Sequence, residues 1–275
     1  MTRFNGYTTQ KRIALDLKHA VEALPTTPTL TILQIGNHPA SSMYVERKQQ
    51  FGQTIGCRIN VIHLPKQAHQ TAVEMGIRNQ NDDPTVNGII VQLPMPEHLS
   101  NDLLQLIDPK KDVDGLSKDS PFTPATPKAI LAILDDQKVE LEGKNAVVVG
   151  RSALVGGPVA RLLEERGAHV TVCHSKSGDL RPFTLRADIL IVAVGKPNLV
   201  TADMVKSGSI VINVGGALGA DGQLHGDVDP AVALKASFFT PVPGGVGPVT
   251  VAMLFTNLVL AAKEQTSSEQ TTFSR

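Results

Sequence analysis

Asn145-Ala-Val-Val-Val-Gly-Arg-Ser-Ala-Leu-Val-Gly156 is the stretch that decides the fold of this chain. An apolar run, Ala146–Val149, stops at Gly150; a helical segment, Pro158–Arg166, follows Gly156; a second strand-like run, His169–Cys173, comes next. Short Ala/Val runs without polar alternation are typical of strands buried on both faces of a parallel sheet. The two glycines stand six positions apart, with Ser152 where the dinucleotide fingerprint has its middle glycine. Spacing alone fits an ordinary strand-to-helix turn equally well. The order strand, turn, helix, strand favours a phosphate cradle, because free N–H groups at the helix start would face a pyrophosphate. Gly150, Arg151 and Ser152 are therefore candidate cofactor-binding residues.

The strand ending at Cys173 runs into His174-Ser-Lys176, with no carboxylate before Asp179. Sites that prefer NAD usually place an acid here to bond the ribose hydroxyls. Arg151, Ser175 and Lys176 suit a 2′-phosphate instead, through charge-assisted bonds of about 1.5–3 kcal/mol each. The sequence predicts NADP over NAD.

Outward from this turn, strands and helices alternate. Helix is predicted over Lys11–Leu24, ended by Pro25 and Pro28, then strand over Thr29–Gly36, helix over Ser42–Gly56 and strand over Arg58–Leu64. Helix Thr71–Gln80, strand Gly88–Leu93 and helix Leu99–Ile107 follow. Pro121, Pro124 and Pro127 punctuate a link, and Pro127 suits the first turn of a helix through Leu134. Beyond His169–Cys173, strands are expected over Asp188–Val194 and Ser209–Val214. Thr240–Pro248 reads as a loop, and Pro248 opens a helix to about Lys263, with a polar, frayed tail from Gln265. The predicted fold class is α/β, two lobes of parallel sheet with a cleft between them. Ligands in such sheets sit at the carboxyl ends of strands near a switch in topology, which picks out Gln92 and Gly150.

Composition agrees. Of 275 residues, 41% are hydrophobic but only 4% aromatic, with no Trp, so the cores must be built from Val, Ile, Leu and Ala. Lys plus Arg and Asp plus Glu both number 26, which speaks against an electrostatic nucleic-acid binder. Cys57 and Cys173 are far apart and no His pair has helical metal spacing, so no metal site is expected. Met1–Gly6 lacks an apolar signal core and no run is read as long enough to span a bilayer; the expectation is the cytoplasm, with no membrane partner.

Ala40-Ser-Ser-Met-Tyr-Val-Glu-Arg-Lys48 puts Tyr44 and Lys48 one helical turn apart on one face. An aromatic ring beside an ammonium can hold a flat conjugated substrate and move a proton on or off it. On spacing alone, plain packing with a snorkelling lysine wins. A short-chain dehydrogenase pair is disfavoured by order, since there the nucleotide turn comes first. Gly88-Ile-Ile-Val-Gln-Leu-Pro94 then sets Gln92 directly after an apolar strand, and Asp108-Pro-Lys-Lys-Asp-Val-Asp-Gly115 sets two acids before a glycine. Gln92 alone could be a strand-end cap, and Asp112 and Asp114 turn chemistry. All of them in this order call for a common explanation.

With these segments, and with Gly150-Arg-Ser152, Cys173-His-Ser-Lys176 and Thr240-Pro-Val-Pro-Gly-Gly-Val-Gly-Pro-Val-Thr250, the chain resembles the bifunctional methylenetetrahydrofolate dehydrogenase/methenyltetrahydrofolate cyclohydrolase family. The similar segments span nearly the whole chain in family order. The resemblance implies a folate-binding catalytic lobe over residues 1–142, completed by a C-terminal helix, 246–275, that returns to it, and a Rossmann-like NADP lobe over 143–245. It also implies a homodimer and a place in one-carbon metabolism and purine biosynthesis. Lys48 would be the catalytic base, which requires partial burial to loosen its proton. Gln92 would orient it, Tyr44 would stack on the substrate, and Asp114 would bond the pterin amino edge. Gly244, Gly245 and Thr250 would line the substrate site, and Gly216 would join the cofactor site. Three departures show: Ala125 where a Cys is frequent, Asn213 for the usual Asp, and Gly216 where a branched apolar residue usually touches the nicotinamide side. Rival readings are another two-lobed NADP oxidoreductase, such as a shikimate dehydrogenase, and a non-catalytic folate-binding protein.

Overall fold

The structure is a computed structural model that describes residues 4–219 and 221–273. In chain order it places α1 (Gly6–Glu22), β1 (Thr29–Ile35), α2 (Pro39–Thr54), β2 (Arg58–Leu64), α3 (Gln70–Asp82) and β3 (Gly88–Val91). These are followed by α4 (Ala125–Asp136), β4 (Asn145–Val149), α5 (Gly156–Glu165), β5 (His169–Cys173), α6 (Arg181–Thr184), β6 (Ile189–Val192) and β7 (Ile210–Asn213). Strands β8 (Gly216–Leu218), β9 (Leu224–Gly226) and β10 (Phe238–Thr240) precede the last helix, α7 (Val246–Phe273). Packing divides the chain into two compact units, one of Lys11–Ala125 with residues 251–273, the other of residues 4–10 with Thr126–Thr250. The family resemblance put the junction at 142/143; packing groups α4 from Thr126 onward with the strands that follow it.

The first unit is built on a parallel sheet of order β2-β1-β3. Its central strand, Thr-Leu-Thr-Ile-Leu-Gln-Ile, is buried throughout. Alternate side chains go to opposite faces. Leu30, Ile32 and Ile90 join Leu17, Val21, Val45, Phe51 and, from α7, Phe255 and Leu258. Leu33, Ile35, Ile89 and Val91 join Val73, Ile77, Leu103 and Leu104 on the other side. The C-terminal helix thus packs into the core of this unit, as the fold reading expected. Polar groups in the central strand find partners: Thr31 Oγ1 donates to Gln80 Oε1 at 3.0 Å, and Gln34 Nε2 to Ser42 Oγ at 2.9 Å.

The second unit carries a five-stranded parallel sheet of order β10-β7-β6-β4-β5, with β8 and β9 as a separate antiparallel hairpin. The chain starts this sheet at β4, adds β5 on one side and then crosses to β6 on the other. The switch in direction therefore falls at the carboxyl end of β4, beside β6. In the first unit β1 plays the same part, between β2 and β3.

Several expectations need correction. Residues 101–106 form a 3-10 segment, not an α-helix. Ser100 Oγ caps the backbone N–H of Asp102, and Ile107 is already extended ahead of Asp108-Pro109, so only a tight short coil fits. Helix α7 begins at Val246, two residues before Pro248, which is tolerated in a first turn because no N–H is needed there. It does not fray at Gln265 but runs on to Phe273. Gln265 Nε2 donates to the Asn87 and Lys110 carbonyls, while Thr266 and Ser267 hydroxyls bond back to Ala262 and Lys263. The stretch Val246–Ser267 is also long and apolar enough to cross a bilayer, contrary to the sequence reading, but 72% of its most apolar window is buried within the protein. The hairpin and β10 carried no sequence signal strong enough to predict them.

Asn257 of α7 fastens the acidic loop to this core. Its Nδ2 donates to the Val113 carbonyl at 2.9 Å and the Thr123 carbonyl at 3.0 Å. Unsatisfied buried groups cost about 1–3 kcal/mol each. Asn257→Ala should therefore lower the unfolding free energy by about 2 kcal/mol or more in urea titration; an unchanged midpoint would show that the staple is dispensable.

Candidate active site

Helix α2 delivers Tyr44 and Lys48 from one face, and β3 ends directly before Gln92. Lys48 Nζ donates to Gln92 Oε1 at 3.0 Å. Gln92 is itself held: its Nε2 donates to the Leu93 carbonyl at 2.6 Å, and its backbone N–H donates to the Leu33 carbonyl of β1 at 2.9 Å. That leaves the amide oxygen fixed toward the lysine. The position is the carboxyl end of the sheet at its switch in direction, where an open parallel sheet offers a ligand crevice.

Asp112 and Asp114 divide their labour. Asp112 is fully buried, and its carboxylate accepts the backbone N–H of Gly115 at 3.1 Å and of Ser117 at 2.7 Å. It is the turn former, as the simpler sequence reading had it. Gly115 adopts φ +71° in that turn, and a Cβ there would lie 2.5 Å from the Phe122 carbonyl oxygen, so only glycine fits. The turn leaves the Asp114 carboxylate to act on Lys48. Burial lowers the Lys48 ammonium below the ordinary lysine range, against the opposing pull of Asp114. Burial also raises the Asp114 carboxyl above its usual range; Lys48 opposes that rise and Asp112 adds to it. Burial thus draws the proton affinities of amine and acid toward each other, which favours proton exchange at the amine.

Tyr44 is half-buried one turn before Lys48, and the Arg47 guanidinium carbon lies 5.8 Å from its ring centroid. Sequence reasoning missed Lys111. This buried lysine donates to the carbonyls of Gln80, Asn81 and Asp83 at 3.0, 2.7 and 2.7 Å and so closes the C-terminal end of α3. Nothing in the pair Lys110-Lys111 says which one turns inward.

In the second unit, Gly150 ends β4 with φ +120°, and a Cβ on it would sit 2.2 Å from the Ala193 carbonyl oxygen at the end of β6. A Cβ on Gly156 would sit 2.1 Å from the Gly150 carbonyl oxygen. Side chains are thus excluded where the turn folds back onto the helix start, which a dinucleotide cradle requires. Ser152 Oγ accepts from the Val155 N–H at 3.2 Å and caps the turn, while Arg151, Ser175 and Lys176 are exposed. A pyrophosphate at the α5 N-terminus and a 2′-phosphate near Arg151 and Ser175 fit these groups.

Gly216 lies in β8, where a Cβ would be 2.9 Å from the His225 carbonyl oxygen and 3.1 Å from Val242 Cγ1. The hairpin closes tightly around this position, which accounts for glycine in place of a larger residue. Gly244 has φ +91°, and a Cβ on Gly245 would lie 2.3 Å from the Pro241 carbonyl oxygen. The Gly244 carbonyl accepts the N–H of Gly6 at 2.8 Å, a contact to the N-terminal segment that the sequence did not signal. The Thr250 hydroxyl bonds back to the Val246 carbonyl at 3.3 Å.

Residues 4–114 match the family described as tetrahydrofolate dehydrogenase/cyclohydrolase, catalytic domain, and residues 124–266 match its NAD(P)-binding domain. The chain is 42% identical to the bifunctional protein FolD of Lacticaseibacillus casei, over 96% of this chain and 98% of that one. The chain belongs to this family. Among solved structures, the bifunctional FolD methylenetetrahydrofolate dehydrogenase/cyclohydrolase of Campylobacter jejuni is 40% identical with TM-score 0.92, covering 96% of this chain and 99% of that chain. The Trypanosoma brucei enzyme, solved with NADP and an inhibitor, is 33% identical with TM-score 0.90, covering 96% and 97%. Family membership decides against the shikimate dehydrogenase reading.

The convergence at Lys48 has a spectroscopic consequence. In side-chain NMR of labelled lysine, Lys48 should titrate below the exposed lysines, and Asp114→Asn should lower its midpoint further, because the carboxylate opposes the effect of burial. A Lys48 midpoint within the ordinary range would contradict the burial described above.

Proposed function

We propose that this protein oxidises 5,10-methylenetetrahydrofolate to the 5,10-methenyl form with NADP+, and hydrolyses that product to 10-formyltetrahydrofolate. The Lys48–Gln92 bond beside Asp114 is the observation that carries this reading, because it provides an oriented amine of reduced proton affinity. Bound NADP+ supplies the hydride acceptor. In the oxidation the folate's own nitrogens stabilise the cation that forms, so the protein's task is alignment. Tyr44 stacks on the flat substrate, and Asp114 bonds the amino edge of the pterin. Gly244, Gly245 and Thr250 line the substrate site, and the two glycines keep side chains away from the reacting rings. Gly150, Arg151, Ser152, Ser175 and Gly216 hold the dinucleotide.

In the hydrolysis, water adds to the methenyl carbon and must lose a proton as it does; the bond from that carbon to N5 then breaks, the carbinol proton ends on N5, and the formyl group stays on N10. Neutral Lys48 takes that proton, and Gln92 fixes the direction of its lone pair. The rate should rise with pH through the lowered lysine pKa and then level off. As functional lobes we assign residues 1–142, completed by residues 246–275, to folate and residues 143–245 to NADP. The family reading also carries a homodimer working in the cytoplasm, whose formyl product feeds purine biosynthesis.

Two measurements test this. Lys48→Met should abolish methenyl hydrolysis, followed by loss of methenyl absorbance; hydrolysis at the wild-type rate would remove Lys48 from the mechanism. Arg151→Ala should raise the Michaelis constant for NADP by about tenfold or more, as expected for losing a charge-assisted phosphate bond, and leave that for NAD nearly unchanged. Equal effects on both cofactors would refute the 2′-phosphate assignment.

A further inference from the structure

We infer that Asp227 is a positioning residue: it fixes the backbone turns that border the nucleotide cradle and so sets affinity for the dinucleotide without touching it. The inference rests on reading Gly150–Gly156 as that cradle. Asp227 is fully buried. One carboxylate oxygen, Oδ2, accepts two successive backbone N–H groups, Val194 at 2.6 Å and Gly195 at 3.0 Å. The other, Oδ1, is buried with no partner among the described residues. A buried carboxylate needs strong donors to be tolerated, and here both donors come from the turn that leaves β6.

That turn is the wall of the cradle. Residue 193, just before it, presents the carbonyl oxygen against which Gly150 closes. On its other side the same Asp227 oxygen fills the space of a missing side chain: a Cβ on Gly215 would lie 2.0 Å from Oδ2. The Asp227 backbone N–H also donates to the Gly215 carbonyl at 3.2 Å. Gly215 leads directly into Gly216, which pairs in register with Gly226.

Asn213 makes the reciprocal insertion, with its Nδ2 2.2 Å from where a Cβ on Gly226 would be. Asn213 is tied in turn to β10, since its N–H donates to Thr240 Oγ1 at 2.8 Å. Two buried side chains thus lock the carboxyl ends of β6, β7 and β10 and the base of the hairpin. Asp227 is the member that reaches the turn beside Gly150. Misplacing a binding group by about 1 Å can cost about a hundredfold in rate, so a carboxylate that holds this turn has leverage on cofactor binding.

The test is direct NADP binding by calorimetry, with both activities measured on the same preparations. Asp227→Ala should weaken NADP binding by about tenfold and raise the NADP Michaelis constant in parallel, with kcat and cofactor-free methenyl hydrolysis within about twofold of wild type. Asp227→Asn should lose less, because its amide oxygen can still accept the two N–H groups, though without charge. Should Asp227→Ala not fold, Gly215→Ala, which drives a methyl group into Oδ2, carries the same expectation of about tenfold, with Asp227→Asn falling between it and wild type. NADP affinity within about twofold of wild type in the folded variants would overturn the inference. So would hydrolysis that falls in step with NADP affinity, because the damage would then be general. A wild-type protein that binds no dinucleotide would overturn the cradle reading itself, and this inference with it.

Discussion

A half-buried lysine amine bonded to an amide oxygen is the constraint on which this candidate site depends. Lys48 sits in a lobe whose interior is Leu, Ile, Val and Phe. Such surroundings disfavour the ammonium, and the 3.0 Å bond that Lys48 donates to the Gln92 amide oxygen gives the nitrogen a fixed partner without adding a full negative charge. A carboxylate at position 92 would have restored the proton affinity that burial removes. Asp114 supplies a partial counterweight while its own burial raises its carboxyl. The balance is electrostatic and local, and it exists because β3 ends at Gln92 beside α2.

Both sheets place their chemistry by the same geometric rule. In each, the first strand is flanked by the second on one side and the third or a later one on the other, so the connections leave in opposite directions at its carboxyl end. Gln92, directly after β3, stands beside that end of β1 in one unit, and Gly150 stands at the end of β4 in the other. The scaffolding around these points is polar and hydrogen-bonded, with Asp227 Oδ1 an exception. Lys111 closes α3, Asp112 forms the acidic turn, Asn257 fastens that turn to α7, and Asp227 fixes the turn beside the cradle. None of these four is assigned contact with a reactant; each fixes backbone through buried polar bonds.

Much of this was legible in the chain. Strands Arg58–Leu64, Asn145–Val149 and His169–Cys173 fall where the apolar runs place them; Asn145–Val149 is buried from its second residue on, whereas the other two are edge strands with exposed positions. The Tyr44, Lys48, Gln92 and Asp114 set was visible as residue types in order. The 3-10 form of residues 101–106, the helical course of α7 past Gln265 and the β8–β9 hairpin were not, since each is settled by contacts distant in sequence or by segments too short to show a period.

The sequence by itself determined the alternation of strand and helix, the glycine turn after β4 and the family, because periodicity, turn chemistry and motif order are local properties of the chain. Only the tertiary structure decided which of two adjacent lysines is buried, which of two acids shapes a turn and which acts on Lys48, and that burial loosens the Lys48 proton. Those outcomes depend on what surrounds a group in space, and desolvation, hydrogen-bond partners and facing charges come from segments tens to more than a hundred residues away.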